Sequence, residues 1–159
     1  MPRQIAHRNL PQLLLKAREN LICHFRPILK HFGLTEQQWR ILRSLAEREQ
    51  LEPRELCDLC QILSPSLVGV LARMEEMGVI ERHRVPGDQR RLQIRLSPAG
   101  EELVAAIAPA IEAQYRHLEA ALGKDLIGRL YDVLDQVNQL PVGAVRPVDP
   151  AAPQPAAQG

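Results

Sequence analysis

A mainly α fold carrying one small β-hairpin is what this sequence predicts, and three observations in residues 64–100 predict it. The first is a short helix from Ser64 to Met77. Ser64 is a good N-cap, and Pro65 suits the first helical position because its missing N–H is not needed there. Leu67, Leu71 and Met74 recur at helical spacing as a buried stripe, while Ser66, Gly69 and Arg73 share another face. The second is a pair of strands. Leu92 to Leu96 alternates apolar and polar residues, and Val79 to Val85 supplies a less regular partner. Between them Pro86-Gly87-Asp88-Gln89-Arg90-Arg91 reads as a turn by its Pro-Gly pair. The third is Ser97-Pro98, which opens a new helix directly after the second strand. Helix, basic hairpin and helix in that order is the layout of a winged helix-turn-helix.

The remaining elements follow along the chain. Asn9 to His31 is mostly helical, with Leu13, Leu14, Leu21 and Phe25 apolar, and Pro27 should bend or end it. Gly33 breaks the chain. Thr35 then caps a second helix, with Gln38 as its capping-box partner and Trp39, Leu42, Leu45 and Ala46 as its apolar stripe. Pro53 to Cys60 is a short third helix, and Gln61-Ile62-Leu63 is the turn that leads into Ser64. Beyond the hairpin, a long helix runs to about Leu122 with Pro109 as a kink. Gly123 separates it from a last helix, Lys124 to about Leu140, striped by Leu126, Leu130, Val133, Leu134 and Val137. Residues 142–159 read as a disordered Pro/Ala-rich tail.

Composition sets limits. At 159 residues the chain suits one domain, and with aromatics at 3% the aliphatic residues must do the packing. A net charge of +1 does not by itself suggest a nucleic-acid partner. Its distribution says more: residues 1–48 carry nine Lys/Arg against three Asp/Glu, and residues 97–140 carry three against seven. Of the 20 cations 17 are Arg, the side chain suited to bidentate recognition of phosphate, carboxylate and guanine. No apolar stretch approaches the ~18 residues of a membrane span, no secretory signal opens the chain, and three cysteines make no disulfide framework. A reduced cytoplasmic protein is expected.

Several residues invite a chemical reading. Ser66 and Gly69 are small enough for close approach, and Arg73 can pair with phosphate or a guanine edge. Arg90 and Arg91 at a hairpin tip can reach a minor groove, with Asp88 bracing one of them. The alternatives are an ordinary amphipathic helix and a solvated hairpin. The second is the better reading of an isolated hairpin but a poor one directly after this helix. Cys57 and Cys60 form a C-x-x-C without further ligands and read as packing groups. Cys23, beside His24, is a candidate thiol sensor. The five His lack metal spacing, no cofactor motif appears, and there is no nucleophile elbow, phosphate loop or carboxylate pair of an enzyme.

The run Ser64–Gly100 resembles the MarR family of bacterial transcription regulators. The resemblance rests on the D-x-R wing Asp88-Gln89-Arg90 and the helix start Leu96-Ser97-Pro98-Ala99-Gly100. Phe25-Arg26-Pro27, Gly33-Leu34-Thr35-Glu36-Gln37-Gln38-Trp39-Arg40 and Cys60–Ser66 are similar to the subgroup repressing homoprotocatechuate and related aromatic-acid catabolism. The resemblance covers roughly residues 10–140. It implies one winged helix-turn-helix domain over residues 1–141. Residues 9–31 and 98–140 serve dimerisation, and residues 51–96 read double-stranded DNA. The partners it implies are a palindromic operator, a second copy of the chain and a small aromatic carboxylate effector. The DNA-reading residues are then Ser64, Pro65, Ser66, Gly69, Arg73, Asp88, Arg90 and Arg91. Trp39 offers a stacking surface and Arg40 a carboxylate grip, with Arg18, His24, Phe25 and Arg26 lining the same crevice. Plain packing of Trp39 and a surface role for Arg40 stay open. So do a redox-sensing repressor using Cys23 and an interaction module without DNA.

Overall fold

Asn9 ends its own loop by accepting from the Gln12 amide at 3.0 Å, and the first helix, α1 (Leu10–Ile22), starts there. The computed structural model describes residues 5–151. α1 stops earlier than expected. Cys23 to Phe25 form a turn, and Pro27 lies in the first turn of a separate helix, α2 (Arg26–His31). Proline therefore opens a helix here, since its ring needs no N–H partner at that position. Gly33 turns the chain at φ +69° into α3 (Glu36–Arg48). The predicted capping box is present: Thr35 Oγ1 accepts from the Gln38 amide at 3.2 Å, and Gln38 Oε1 accepts from the Thr35 amide at 2.9 Å.

A two-residue strand, β1 (Gln50–Leu51), precedes α4 (Pro53–Cys60). Gln61, at φ +50°, makes the turn into α5 (Ser64–Glu76). The N-cap of α5 is Leu63, which has no side-chain cap bond, so Ser64 does not cap the helix as expected. Leu67, Val70, Leu71 and Met74 form the buried side.

The hairpin pairs β2 (Ile80–Val85) with β3 (Asp88–Leu96), and β1 adds to the other edge of β3, giving the antiparallel order β1-β3-β2. Register runs from Ile80↔Leu96 to Arg84↔Leu92, then slips by a bulge to Val85↔Asp88. The turn is thus Pro86-Gly87 alone, not Pro86–Arg91. Arg84 Nη1 donates to the Gln89 carbonyl at 2.6 Å, and Asp88 Oδ1 accepts from the Arg90 amide at 3.0 Å. These bonds hold the ladder out to Asp88.

The Ser97-x-x-Gly100 start of α6 (Pro98–Leu122) has a geometric cause. Ser97 Oγ donates to the Gly78 carbonyl at 2.5 Å and accepts from the Gly100 amide at 3.1 Å. Any β-carbon on Gly100 would run into the Val79 carbonyl oxygen. α6 continues through Pro109 without interruption, and α7 (Lys124–Asn138) ends two residues before the expected Leu140.

The chain divides into two units, the first ending at Arg116 and the second beginning at His117. The core of the first gathers Leu29, Ile41, Leu42, Leu45, Leu56, Leu67, Met74, Ile94 and Ile107. The second holds the end of α6 and all of α7, which has no buried residue. Residues 141–151 form no helix or strand, and the expected tail beyond residue 151 lies outside the described residues. Among the described residues no single helix is long and apolar enough to cross a membrane, and no group of side chains suits a metal ion.

Candidate nucleic-acid interface and effector site

α5 turns its buried side to α4 and β2, which leaves Ser64, Pro65, Ser66 and Arg73 exposed and Gly69 half-buried. A β-carbon on Gly69 would have a single neighbour outside its own helix backbone, Arg73 Nη1 at 3.8 Å. The Arg73 side chain therefore lies back along the helix, over the space Gly69 leaves. Val68, 63% exposed, joins this surface. Glu75 at the far end pairs with Arg82 Nε of β2 at 2.9 Å, which ties the helix to the wing.

The structure separates the two wing arginines. Both sit on β3 and not at the tip. Arg90 is exposed, and its guanidinium has no hydrogen bond or ion pair among the described residues. Asp88 braces it through the backbone amide, not the side chain. Arg91 turns inward, donating from Nε to Glu52 Oε1 at 2.8 Å and from Nη2 to the same oxygen.

The residues expected to line an effector crevice have different partners. Arg18 and Arg26 both donate to the Glu36 carboxylate, at 2.7 and 2.6 Å, and Arg26 also pairs with Glu19. Burial raises the Glu36 carboxyl's pKa, but its bonds to Arg26 and Arg18 outweigh that and hold it below the ordinary range. The hydrogen bond from Arg26 does the same for Glu19. An open depression of about 560 Å³ is lined by Arg26 and Glu36 of this network together with Cys23, Lys30 and Thr35, and by neither Trp39 nor Arg40. His24 is exposed. Cys23 is exposed too, and its Sγ donates to the Asn20 carbonyl at 3.3 Å.

Arg40 has another occupation. Its Nη1 donates to the Cys60 carbonyl at 2.5 Å, at the C-terminal end of α4, and Ser44 Oγ lies 3.5 Å from Cys60 Sγ. Burial pushes the Cys60 thiol up from its ordinary pKa. One side of α3 thus clasps the turn of the helix-turn-helix.

Trp39 and Arg43, four residues apart, lie on a different side of α3. Trp39 is buried. The Arg43 guanidinium lies 5.7 Å above the Tyr115 ring of α6, and Phe25 packs on Tyr115 with ring centroids 4.9 Å apart. Burial works against the Arg43 charge, but its bond to Glu47 and the nearby Tyr115 raise its pKa overall. A half-exposed cation over one aromatic ring, with a second ring packed on the first, suits a flat acid. The sequence did not single out Arg43 or Tyr115. The i, i+4 spacing from Trp39 was a usable signal for Arg43, and Tyr115 had none.

The MarR family profile matches residues 32–91. The HTH-type transcriptional regulator FarR of Neisseria gonorrhoeae is 38% identical over 140 residues, spanning 88% of this chain and 96% of that protein. The homoprotocatechuate degradative operon repressor of Escherichia coli is 41% identical over 130 residues, spanning 82% and 88%. The crystal structure of NadR in complex with 4-hydroxyphenylacetate superimposes with a TM-score of 0.79 at 38% identity, covering 89% of this chain and all of that one. The signature residues, the wing and these likenesses agree: the chain belongs to the MarR family of transcriptional regulators.

Proposed function

We propose that the protein is a homodimeric, cytoplasmic repressor of an operon for breaking down a small aromatic acid, and that this acid releases it from a palindromic operator. The observation that carries the reading is the outward side of α5. Ser64, Pro65, Ser66, Gly69 and Arg73 form a surface of small groups with one cation, beside a wing whose Arg90 is unpaired. α5 enters a major groove and Arg90 the flanking minor groove. Neither α1 nor α7 buries a residue within the protomer, although Leu10, Leu13, Leu14, Leu126, Leu130, Val133 and Val137 are apolar. That leaves two-fold assembly to cover them.

For the effector, Arg43 replaces Arg40 as the carboxylate grip, with Trp39, Phe25 and Tyr115 as the aromatic frame. A relative named for homoprotocatechuate and a solved relative holding 4-hydroxyphenylacetate support a hydroxylated arylacetate. An effector that binds the released state ~100-fold better than the operator-bound one costs about 2.7 kcal/mol of DNA affinity. The test is fluorescence anisotropy with a labelled duplex of the protein's own promoter, titrated with 4-hydroxyphenylacetate and with its amide. The acid should release the duplex and the amide should not, in wild type and in Cys23→Ser alike. Equal release by both removes the carboxylate grip from the reading.

A further inference from the structure

Arg91 and Glu52 make the outermost polar tie between the hairpin and the helical part of the first unit among the described residues. Inward of Arg91, β3 is paired with β1 at Ile94 and Arg95. Outward of it, the bonds of Arg84, Asp88 and Arg90 all stay inside the hairpin. Residues 85–90 follow the β2–β3 ladder, and this pair is the outermost point at which that ladder is tied to a helix. Glu52 is itself held: it is the N-cap of α4, its side chain and that of Glu55 forming a capping box in which the Glu52 amide donates to Glu55 Oε2 at 2.7 Å. The pair thus joins the start of one helix to the outer part of the wing.

The same geometry makes Arg91 a poor DNA contact. The guanidinium edge carrying Nε and Nη2, one of the two edges a phosphate can grip, is already on a carboxylate. A phosphate there must displace Glu52 and then meet its negative charge. We propose that Arg91 is a positioning residue, which with Glu52 sets the pitch of the wing so that Arg90 meets the minor groove while α5 lies in the major groove. This rests on the DNA-binding reading above.

The experiment measures affinity of the full chain for the labelled promoter duplex across a range of salt concentrations, in Arg91→Ala, Glu52→Gln, which keeps an acceptor at the cap of α4, and the double variant Arg91→Ala/Glu52→Gln. A part-exposed ion pair biases such an equilibrium by roughly two- to fivefold. Arg91→Ala and Glu52→Gln should each weaken binding by about that factor, and the dependence of affinity on salt should keep its wild-type slope. The double variant should bind no worse than either single one, because both remove the same pair, whereas two independent destabilisations would add. A phosphate-contacting Arg91 gives a different pattern: Arg91→Ala lowers the salt slope by about one, and Glu52→Gln tightens binding. Any of these overturns the inference while leaving DNA binding intact. Wild type that binds no duplex at all defeats the DNA-binding reading, and the inference with it.

Discussion

A methyl group at position 100 has nowhere to go, because the Val79 carbonyl occupies its place. Gly100→Ala must push the start of α6 away from β2, and overpacking of this kind costs about 1–3 kcal/mol, readable as a lower urea midpoint. Gly69 is the opposite case. Its β-carbon would meet only Arg73 Nη1 at 3.8 Å, and alanine is the better helix former by roughly 0.5–1 kcal/mol. Gly69→Ala should therefore raise stability while weakening operator binding, since the added methyl stands on the surface of α5 proposed to meet DNA. Arg43→Ala should leave operator affinity intact and lower affinity for 4-hydroxyphenylacetate about 10- to 150-fold by calorimetry, the loss of a charge-assisted grip. Full retention of that affinity removes Arg43 from the site. At this scale the sequence was legible only in part. It put an arginine near Trp39, but Arg40 and Arg43, three residues apart on α3, have different partners. Only packing shows that Arg40 is taken by the Cys60 carbonyl.

Whole elements were easier to read, for a reason visible in α3 and α5. Each repeats its apolar residues at helical spacing, and the buried sets include the predicted Trp39, Leu42 and Leu45 and Leu67, Leu71 and Met74. β1 was invisible because two residues show no alternation, and it exists only because β3 offers an edge. The hairpin turn was overestimated because Asp88 to Arg91 is polar on both faces, and its pairing depends on a bulge and on Arg84. The junction of α1, α2 and α3 rests on Arg18, Glu19, Arg26 and Glu36. Both carboxyls titrate below their ordinary value, so this support is complete above pH ~4.5 and is lost as pH falls through the lowered folded pKa. Glu36→Gln should therefore lower the thermal midpoint at pH 7 and show a flatter decline of that midpoint in acid, by scanning calorimetry. A parallel decline in both proteins excludes Glu36 as the titrating group.

At the scale of the molecule, α1 and α7 have no buried residue, and their leucines and valines need a partner. Leu130 and Val133 are 38% and 55% exposed. Sedimentation should show a dimer at micromolar concentration, and Leu130→Asp/Val133→Asp should yield a folded monomer that has lost operator binding. A wild-type monomer that still binds the full operator sinks the two-fold reading.

α3 holds the end of α4, before the turn into α5, on one side and carries Arg43 of the proposed effector site on another. A lever of that kind works in both directions. Whatever factor the acid removes from operator affinity, the operator must remove from affinity for the acid, because the two share one cycle of states. Copies already seated on the promoter are then the hardest to load, and free copies fill first. The acid concentration that opens the operon should therefore rise with the abundance of the protein. A strain making more of it would switch later, without any change in its sequence.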